Sequence, residues 1–247
     1  KVMEVKSIWR HPIKSHGREL LTSVNLKSGE SMPLDRLWAV AHDNATATIG
    51  KWAQCANFSR VSKAPELMAI TSVFDETTGD LTLSHPKCSD LTFNPDINPN
   101  ALISWTESLV PKNRAMPSHI MRLGQRGYTD SDFPSVTLCN LASHRAIEKK
   151  IGNNISIHRW RGNIWFDNQT PWVEFDWIGS EIQVGTAVLR PRERTVRCLA
   201  TTVNPETGKR DTDTLEALAS FGHQDFSVRC EVLKSGVLRV GDKVKKL

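Results

Sequence analysis

The chain predicts a mainly β protein in two closely associated parts, and three observations carry that reading. Short apolar stretches rich in Val, Ile, Leu and Trp recur between turn residues along most of the 247 residues. Only two segments carry clear helix start and stop signals, one opening at Asn140 and one at Asp213. Between Cys88 and Asn100 the composition shifts to Pro, Asn and Asp, with Pro95 and Pro99 close together, which marks a boundary. The expectation is therefore an N-terminal β-barrel subdomain over residues 1–95 and a second β unit with a few flanking helices over residues 96–247.

Taken in order, Val2 to Arg10 alternates loosely around Val5, Ile8 and Trp9 and reads as a first strand. Pro12 ends regular pairing, and Gly17 permits a turn after Lys14-Ser15, a pair able to offer an ammonium, a hydroxyl and backbone N–H groups to one anion. Val24 to Leu26 and Leu37 to Ala41 follow as strands, the second introduced by Pro33-Leu34-Asp35-Arg36. Leu67 to Asp75 and Leu81 to Ser84 flank a loop containing Gly79 and read as a hairpin, and this density of short strands suggests an antiparallel barrel. Beyond the boundary, Tyr128 to Pro134 is polar loop and Val136 to Leu138 a short strand. Asn140 caps a helix that stops at Gly152. Ile164 leads a strand with Trp165 and Phe166, and Ile182 to Leu189 reads as one strand bent at Gly185. Asp213 and Glu216 start a helix that Gly222 ends, and Val228 to Leu233 with Val237 to Val244 reads as a closing strand pair joined at Ser235-Gly236.

The net charge of +5 suggests an anionic partner, whether nucleic acid, lipid surface or phosphorylated cofactor. Trp160 and Trp165 beside Arg159 and Arg161 could stack on RNA, but no RRM or KH signature accompanies them, and no nucleic-acid partner is expected. No apolar run approaches a membrane span, so no membrane association is expected. Cys55, Cys88, Cys139, Cys198 and Cys230 lack C-x-x-C spacing and are odd in number, which favours a reducing, cytoplasmic setting. His11 and His16 have no clustered cysteine or carboxylates to complete a zinc site. Phosphate-loop, nucleophile-elbow and zinc-helix motifs are absent from the sequence.

One stretch concentrates chemistry. Arg190, Arg192, Arg194 and Arg197 run up to Cys198, and Pro205-Glu206-Thr207-Gly208 forms a turn soon after it. Neighbouring cations favour the thiolate, the nucleophilic and metal-binding form, whereas the plain alternative is a buried structural thiol beside a solvated charged face. The pattern R-x-x-R-C-x-x-T-T-V-x-P-x-T-G, from Arg194 to Gly208, resembles the signature of the MOSC family, the domain of molybdenum-cofactor sulfurase C-termini. Further segments resemble the same family: Pro12-Ile13-Lys14-Ser15, Asp35-Arg36, Arg161 to Ile164 with Gly162 where proline is usual, and the Val-Leu-Arg-Val-Gly-Asp ending. The sequence departs from the common pattern at His16-Gly17-Arg18 and at Val196, where some relatives carry serine.

The resemblance implies a MOSC β-barrel behind an N-terminal β-barrel, with a molybdenum cofactor (Mo-molybdopterin) held between them. It implies Cys198 as metal ligand and catalytic residue, and Lys14, Ser15, Arg36, Ser143, Arg161, Asn163, Arg197, Cys198 and Thr201 as cofactor contacts. The branch resembled most is that of the mitochondrial amidoxime-reducing component. The expected activity is thus an oxidoreductase that reduces N-hydroxylated small molecules, with the cofactor carrying the electron chemistry. No iron–sulfur spacing or dinucleotide loop is present in the sequence, so electrons would come from an external donor such as a ferredoxin, flavodoxin or reductase. The alternative is a non-catalytic carrier in which Cys198 holds cofactor or a persulfide.

Overall fold

The computed structural model describes residues 2–124 and 126–247, so the first residue of the expected N-terminal subdomain lies outside it. Fifteen strands are described: β1 (Met3–Arg10), β2 (Glu19–Leu21), β3 (Ser23–Leu26), β4 (Trp38–His42), β5 (Thr71–Phe74), β6 (Leu81–His85), β7 (Cys88–Phe93) and β8 (Pro117–Arg122). They continue with β9 (Val136–Asn140), β10 (Ile164–Phe166), β11 (Ile182–Val184), β12 (Ala187–Val196), β13 (Asp225–Lys234), β14 (Gly236–Arg239) and β15 (Lys243–Lys246). The α-helices among the described residues are α1 (Asn100–Glu107), α2 (Leu141–Ile151) and α3 (Thr214–Ala219). The mainly β fold class is what the sequence predicts.

Seven strands close into a barrel in the order β10-β9-β13-β12-β11-β15-β1, because β1 also pairs with β10, and β2 is added to β1. Most pairs are antiparallel, but β9 and β10 run parallel, with α2 in the connection between them. The barrel interior is filled by Val5, Ile8, Leu138, Ile164, Phe166, Leu189 and Val228, buried residues of five of its neighbouring strands. Strand β1 therefore completes the barrel that β9 to β13 and β15 build.

The second β region contains the β4–β8 pair and the β5-β6-β7 meander. Its core gathers Ile13, Trp38, Leu67, Leu81, Phe93 and Leu102. Val203, five residues beyond Cys198, belongs to this same cluster, so the chain after the cysteine is anchored in the opposite region.

Both helix N-caps and the Gly152 stop follow the sequence, whereas the second helix ends at Ala219 with Ser220 as its C-cap, before Gly222. The Asn140 side chain accepts from the Ala142 amide at 3.0 Å, Gly152 takes the left-handed C-cap at φ 81°, and the Asp213 carboxylate accepts from the Glu216 amide at 3.0 Å. Three further expectations change. Leu67 lies in a short 3-10 turn (Pro65–Ala69), which leaves only Thr71–Phe74 to pair with β6. Gly185, at φ 58°, lets the chain reverse between β11 and β12 instead of bending one strand, and a Cβ there would stand 2.5 Å from the Val237 carbonyl. The terminal strands do not pair with each other. β14 pairs with β3, and β15 bridges β11 and β1.

The Pro/Asn/Asp-rich stretch begins as strand β7 and ends as α1, and β8 then returns to pair with β4.

Candidate functional site

A cavity of about 410 Å³ lies where the two β regions meet, and it collects side chains from both. Lys14, Ser15 and Arg36 come from the N-terminal part, whereas Arg161, Asn163, Arg197, Cys198 and Thr201 come from the barrel part. Eight of the nine residues expected to contact a cofactor are thus brought to one cleft.

Cys198 is exposed on its wall and is the residue that caps the 3-10 turn Leu199–Thr202. Its carbonyl accepts from both the amide and the hydroxyl of Thr201, at 3.2 and 3.1 Å. The Thr201 hydroxyl also meets that of Thr214 at 2.6 Å, so Thr201 lines the cleft while its polar atom fixes the cysteine loop to α3. The Pro-Glu-Thr-Gly turn has a docking role. Arg18 donates to the Pro205 carbonyl, Arg210 to that of Ser62, and Gly208, at φ 70°, passes so close to Glu66 that a Cβ would stand 2.9 Å from its Cα.

The arginine run does not act as one group. Arg190, Arg192 and Arg194 alternate along β12 onto one exposed face, where they meet Glu181, Glu231 and Asp225. Three members of the run thus form the solvated charged face of the plain alternative, each beside a carboxylate. Arg197, three residues further on and past an irregularity in β12–β13 pairing between Arg194 and Val196, turns the other way. Its guanidinium donates to the carbonyls of Phe226 and Trp160 at 2.8 Å and to the Ser227 hydroxyl at 2.9 Å. The spacing of two, two and then three was the available signal.

On the facing wall, Asp35 is fully buried. It accepts from Arg36 at 2.5 Å on one oxygen, and from the His11 amide at 2.8 Å on the other, which also lies 3.1 Å from His11 Nδ1. Burial alone would raise its pKa, but the Arg36 charge and the His11 contacts hold it well below the usual carboxylate range. Arg36 also donates to the Arg161 carbonyl at 2.6 Å. Lys14 donates to Asp130 at 2.6 Å and to the Tyr128 carbonyl at 2.8 Å. Lys14 and Arg36 are therefore already balanced by carboxylates.

Arg161 is different. Its Nη2 donates to the Gly17 carbonyl at 3.0 Å, but its Nη1 is buried without a hydrogen-bond partner, and no carboxylate pairs with it among the described residues. Burial, with the Arg36 and Arg18 charges, lowers its pKa to about 9, and burial lowers that of Arg197 to about 10. Both remain cations at neutral pH, so this pair brings buried positive charge to the cleft that no carboxylate pairs with among the described residues. Ser15, Arg36 and Arg161 also have left-handed backbones, with φ of 65°, 51° and 49°. Such conformations cost about 1–3 kcal/mol each outside glycine and persist where surrounding bonds over-determine them. At Arg36 those bonds are its amide to the His11 carbonyl and its carbonyl to the Tyr128 amide.

The remaining expectations divide. Asn163 lines the cleft, yet its amide joins strands, accepting from Thr137 and donating to the Trp9 carbonyl. Ser143 does not line the cleft. Its hydroxyl donates to Glu174 at 2.7 Å and accepts from the Trp172 amide at 2.8 Å, so the start of α2 is satisfied by a buried carboxylate. Gly162 stands where a proline was the usual pattern because the Cys139 side chain fills that space, and a Cβ there would lie 2.2 Å from its sulfur. Trp160 and Trp165 are buried, Trp160 stacked on Phe226 at 4.1 Å, which accounts for them as core. Arg60, Lys63, Cys55 and Arg229 also line the cleft and were not anticipated. The fold, not local pattern, brings them there, Arg229 from strand β13 and the others from the segment after β4.

The MOSC domain model matches residues 127–245, and that of the MOSC N-terminal beta barrel domain matches residues 2–114. Among solved structures, the YUAD protein from Bacillus subtilis is similar in fold, with a TM-score of 0.50 and 12% identity over 99% of this chain and 94% of that one. YiiM from Geobacillus stearothermophilus is 17% identical over 45% of this chain and 53% of its own, with a TM-score of 0.37. No curated protein matches the sequence.

Proposed function

Because the chain belongs to the MOSC domain family, which is associated with molybdenum-cofactor binding and includes both enzymes and non-catalytic members, we propose that it is a molybdenum-cofactor oxidoreductase acting on N-hydroxylated compounds. The observation that carries the reading is an exposed thiol, Cys198, sharing one cleft with two cations, Arg161 and Arg197, that no carboxylate pairs with among the described residues. An anionic pterin with a thiolate-seeking metal matches that donor set, and the partnerless Arg161 Nη1 is the buried polar atom such a ligand would satisfy.

Arg161, Arg197 and the Ser15 hydroxyl would hold the anionic end, with Lys14 and Arg36 supporting the wall, and Cys198 Sγ would complete the metal's ligands. No group of three or more His, Cys, Asp or Glu side chains is placed to hold a metal ion among the described residues, so the remaining ligands would be those of the cofactor. When bound, that group supplies reversible two-electron exchange. Reduction of an N-hydroxyl compound then consumes two electrons and two protons and releases the parent amine or amidine and water. The Lys14 ammonium lowers the pKa of Asp130, an exposed carboxylate on the rim, and the open cleft admits protons from solvent. Electrons would arrive from a ferredoxin, flavodoxin or reductase.

The test is molybdenum content and benzamidoxime reduction by protein from a cofactor-competent host, with reduced viologen as donor and then with those partners. Wild type and Cys55→Ser should carry molybdenum and Cys198→Ser should lose nearly all of it. Equal metal in Cys198→Ser would overturn the ligand assignment. Fully loaded protein that reduces nothing with any donor would leave the carrier reading, in which Cys198 holds cofactor or a persulfide.

A further inference from the structure

A second cavity, of about 170 Å³, adjoins the cleft and shares Arg60 and Lys63 with it. Its walls are apolar at Phe58, Ala64 and Val110, each buried. Its charged lining is of one sign: Arg60, Lys63 and Arg114, with no carboxylate.

Like Arg161 and Arg197, these cations have no carboxylate partner among the described residues. Arg190, Arg192, Arg194 and Arg229 each have a carboxylate within 4 Å, as do Lys14 and Arg36 in the main cleft. Lys63 and Arg114 have no ion pair or side-chain hydrogen bond among the described residues, and the Arg60 side chain donates only to Cys55 Sγ, at 3.1 Å. A second observation points the same way. Ser59 lines the cavity, is 6% exposed, and its hydroxyl is buried with no partner. Buried hydroxyls are normally satisfied, so a missing acceptor or donor is expected there. His42 offers nothing further, since its Nε2 donates to the Ala56 carbonyl and its Nδ1 accepts from the Asn44 amide.

We propose that this smaller cavity is an oxyanion subsite that takes the carboxylate or phosphate of an organic acid, with its apolar body against Phe58 and Val110. Three donors of positive charge around one hydroxyl suit an oxyanion, and the apolar walls suit an aryl or alkyl group rather than a free inorganic ion. The shared Arg60 and Lys63 place such a ligand beside the Cys198 cleft. The substrates favoured there are therefore N-hydroxylated compounds that also carry an acidic group, a step that rests on the function proposed above, whereas the binding does not.

The test begins with binding by the purified full chain. Benzoate and phenyl phosphate are titrated against neutral benzamide, at low and at 0.5 M salt on the order of conditions that screen exposed charge. Wild type should prefer an acid over benzamide by about tenfold, the size expected of one charge-assisted hydrogen bond. Arg114→Ala, an exposed position, and Ser59→Ala should each shrink that preference several-fold, with benzamide binding and the unfolding midpoint unchanged. Comparing the two acids distinguishes a carboxylate site from a phosphate site, and selectivity for either supports the subsite. No preference for acids, or a preference that survives both substitutions, would overturn it. Loss of molybdenum in Arg114→Ala from a cofactor-competent host would also overturn it, by handing the cavity to the cofactor. If loaded protein reduces neither benzamidoxime nor its 4-carboxy derivative, the proposed reaction fails, while acid-selective binding lost in Arg114→Ala still supports the subsite.

Discussion

The outer face of β12 and the cleft beside it use the same residue type to opposite ends. Arg192 and Arg194 are exposed and Arg190 is half-buried, and they meet Glu231, Asp225 and Glu181 at 3.3–3.7 Å, whereas Arg161 and Arg197 are held by backbone carbonyls and have no carboxylate partner among the described residues. A cation balanced by a neighbouring carboxylate in water offers little to a ligand. A cation fixed by neutral dipoles keeps its charge available, at the expense of desolvation that lowers its pKa. The strictly alternating arginines of β12 therefore form the structural set, and Arg197, which breaks that alternation by standing three residues on, joins Arg161 in the site.

The largest expected effect tests that distinction directly. Arg161→Gln and Arg197→Gln should each lose most of the molybdenum bound by wild type, because removing one partner of a buried charge contact costs about 2–5 kcal/mol of affinity. Arg192→Gln should retain it. If all three variants kept equal metal after desalting, the inner set would have no special claim on an anion.

Much of this was legible before the structure. The Asn140 and Asp213 caps could be read because capping is local chemistry, and Lys14, Arg36, Arg161 and Cys198 because they stand in distinctive short motifs. Ser143 sits at the helix start as expected, but Glu174, 31 residues later in the chain, occupies its hydroxyl, and no local pattern reports that. Arg60, Lys63 and Ser59 were invisible for the same reason: they become a site only when Val110 and Arg114 are folded against them. The closing strands were misread because periodicity identifies a strand without naming its partner, and β14 pairs with β3, over two hundred residues earlier on the order of the whole chain.

A second effect concerns the stiffness of the seam. Gly208→Ala places a Cβ against Glu66 at a positive φ, and should cost about 1–3 kcal/mol in urea unfolding. Cofactor retention should fall with it, since that turn ties the Cys198 loop to the opposite region. A stable variant with normal retention would show that the inner arginines are fixed by the barrel alone.

The same inner charge should be visible in pH dependence. Burial lowers the His16 pKa to about 4, with Arg161 adding to the shift, and burial with Arg18 and Arg161 lowers that of His158 to about 3. Unfolded, both titrate near 6.5. Between about pH 6.5 and 4 the unfolded chain binds protons that the folded one refuses, so stability is present above 6.5 and declines as pH falls. The expected loss from pH 7 to 5 is about 1–2 kcal/mol per histidine, read from urea midpoints. His16→Gln should flatten the slope, and a wild-type midpoint that does not move would contradict neutral, buried histidines.

The smallest effects belong to the outer face, and their origin can still be separated. Arg194 lies 3.6 Å from Asp225 and its guanidinium stands 4.3 Å from the Phe175 ring centroid. The ion pair is longer than a good charged hydrogen bond and exposed, so its share is within about 0.5 kcal/mol. The stacked guanidinium contributes about 0.5–1 kcal/mol and is less sensitive to salt. Arg194→Lys, which keeps the charge but loses the planar stack, should therefore destabilise nearly as much as Arg194→Gln, and 0.5 M salt on the order of full screening should change neither difference much. A lysine variant as stable as wild type would assign the contact to charge instead. An Arg194→Gln protein that lost molybdenum as Arg161→Gln does would erase the distinction between the two faces, because the carboxylate beside Arg194 would then not be what removes it from the site.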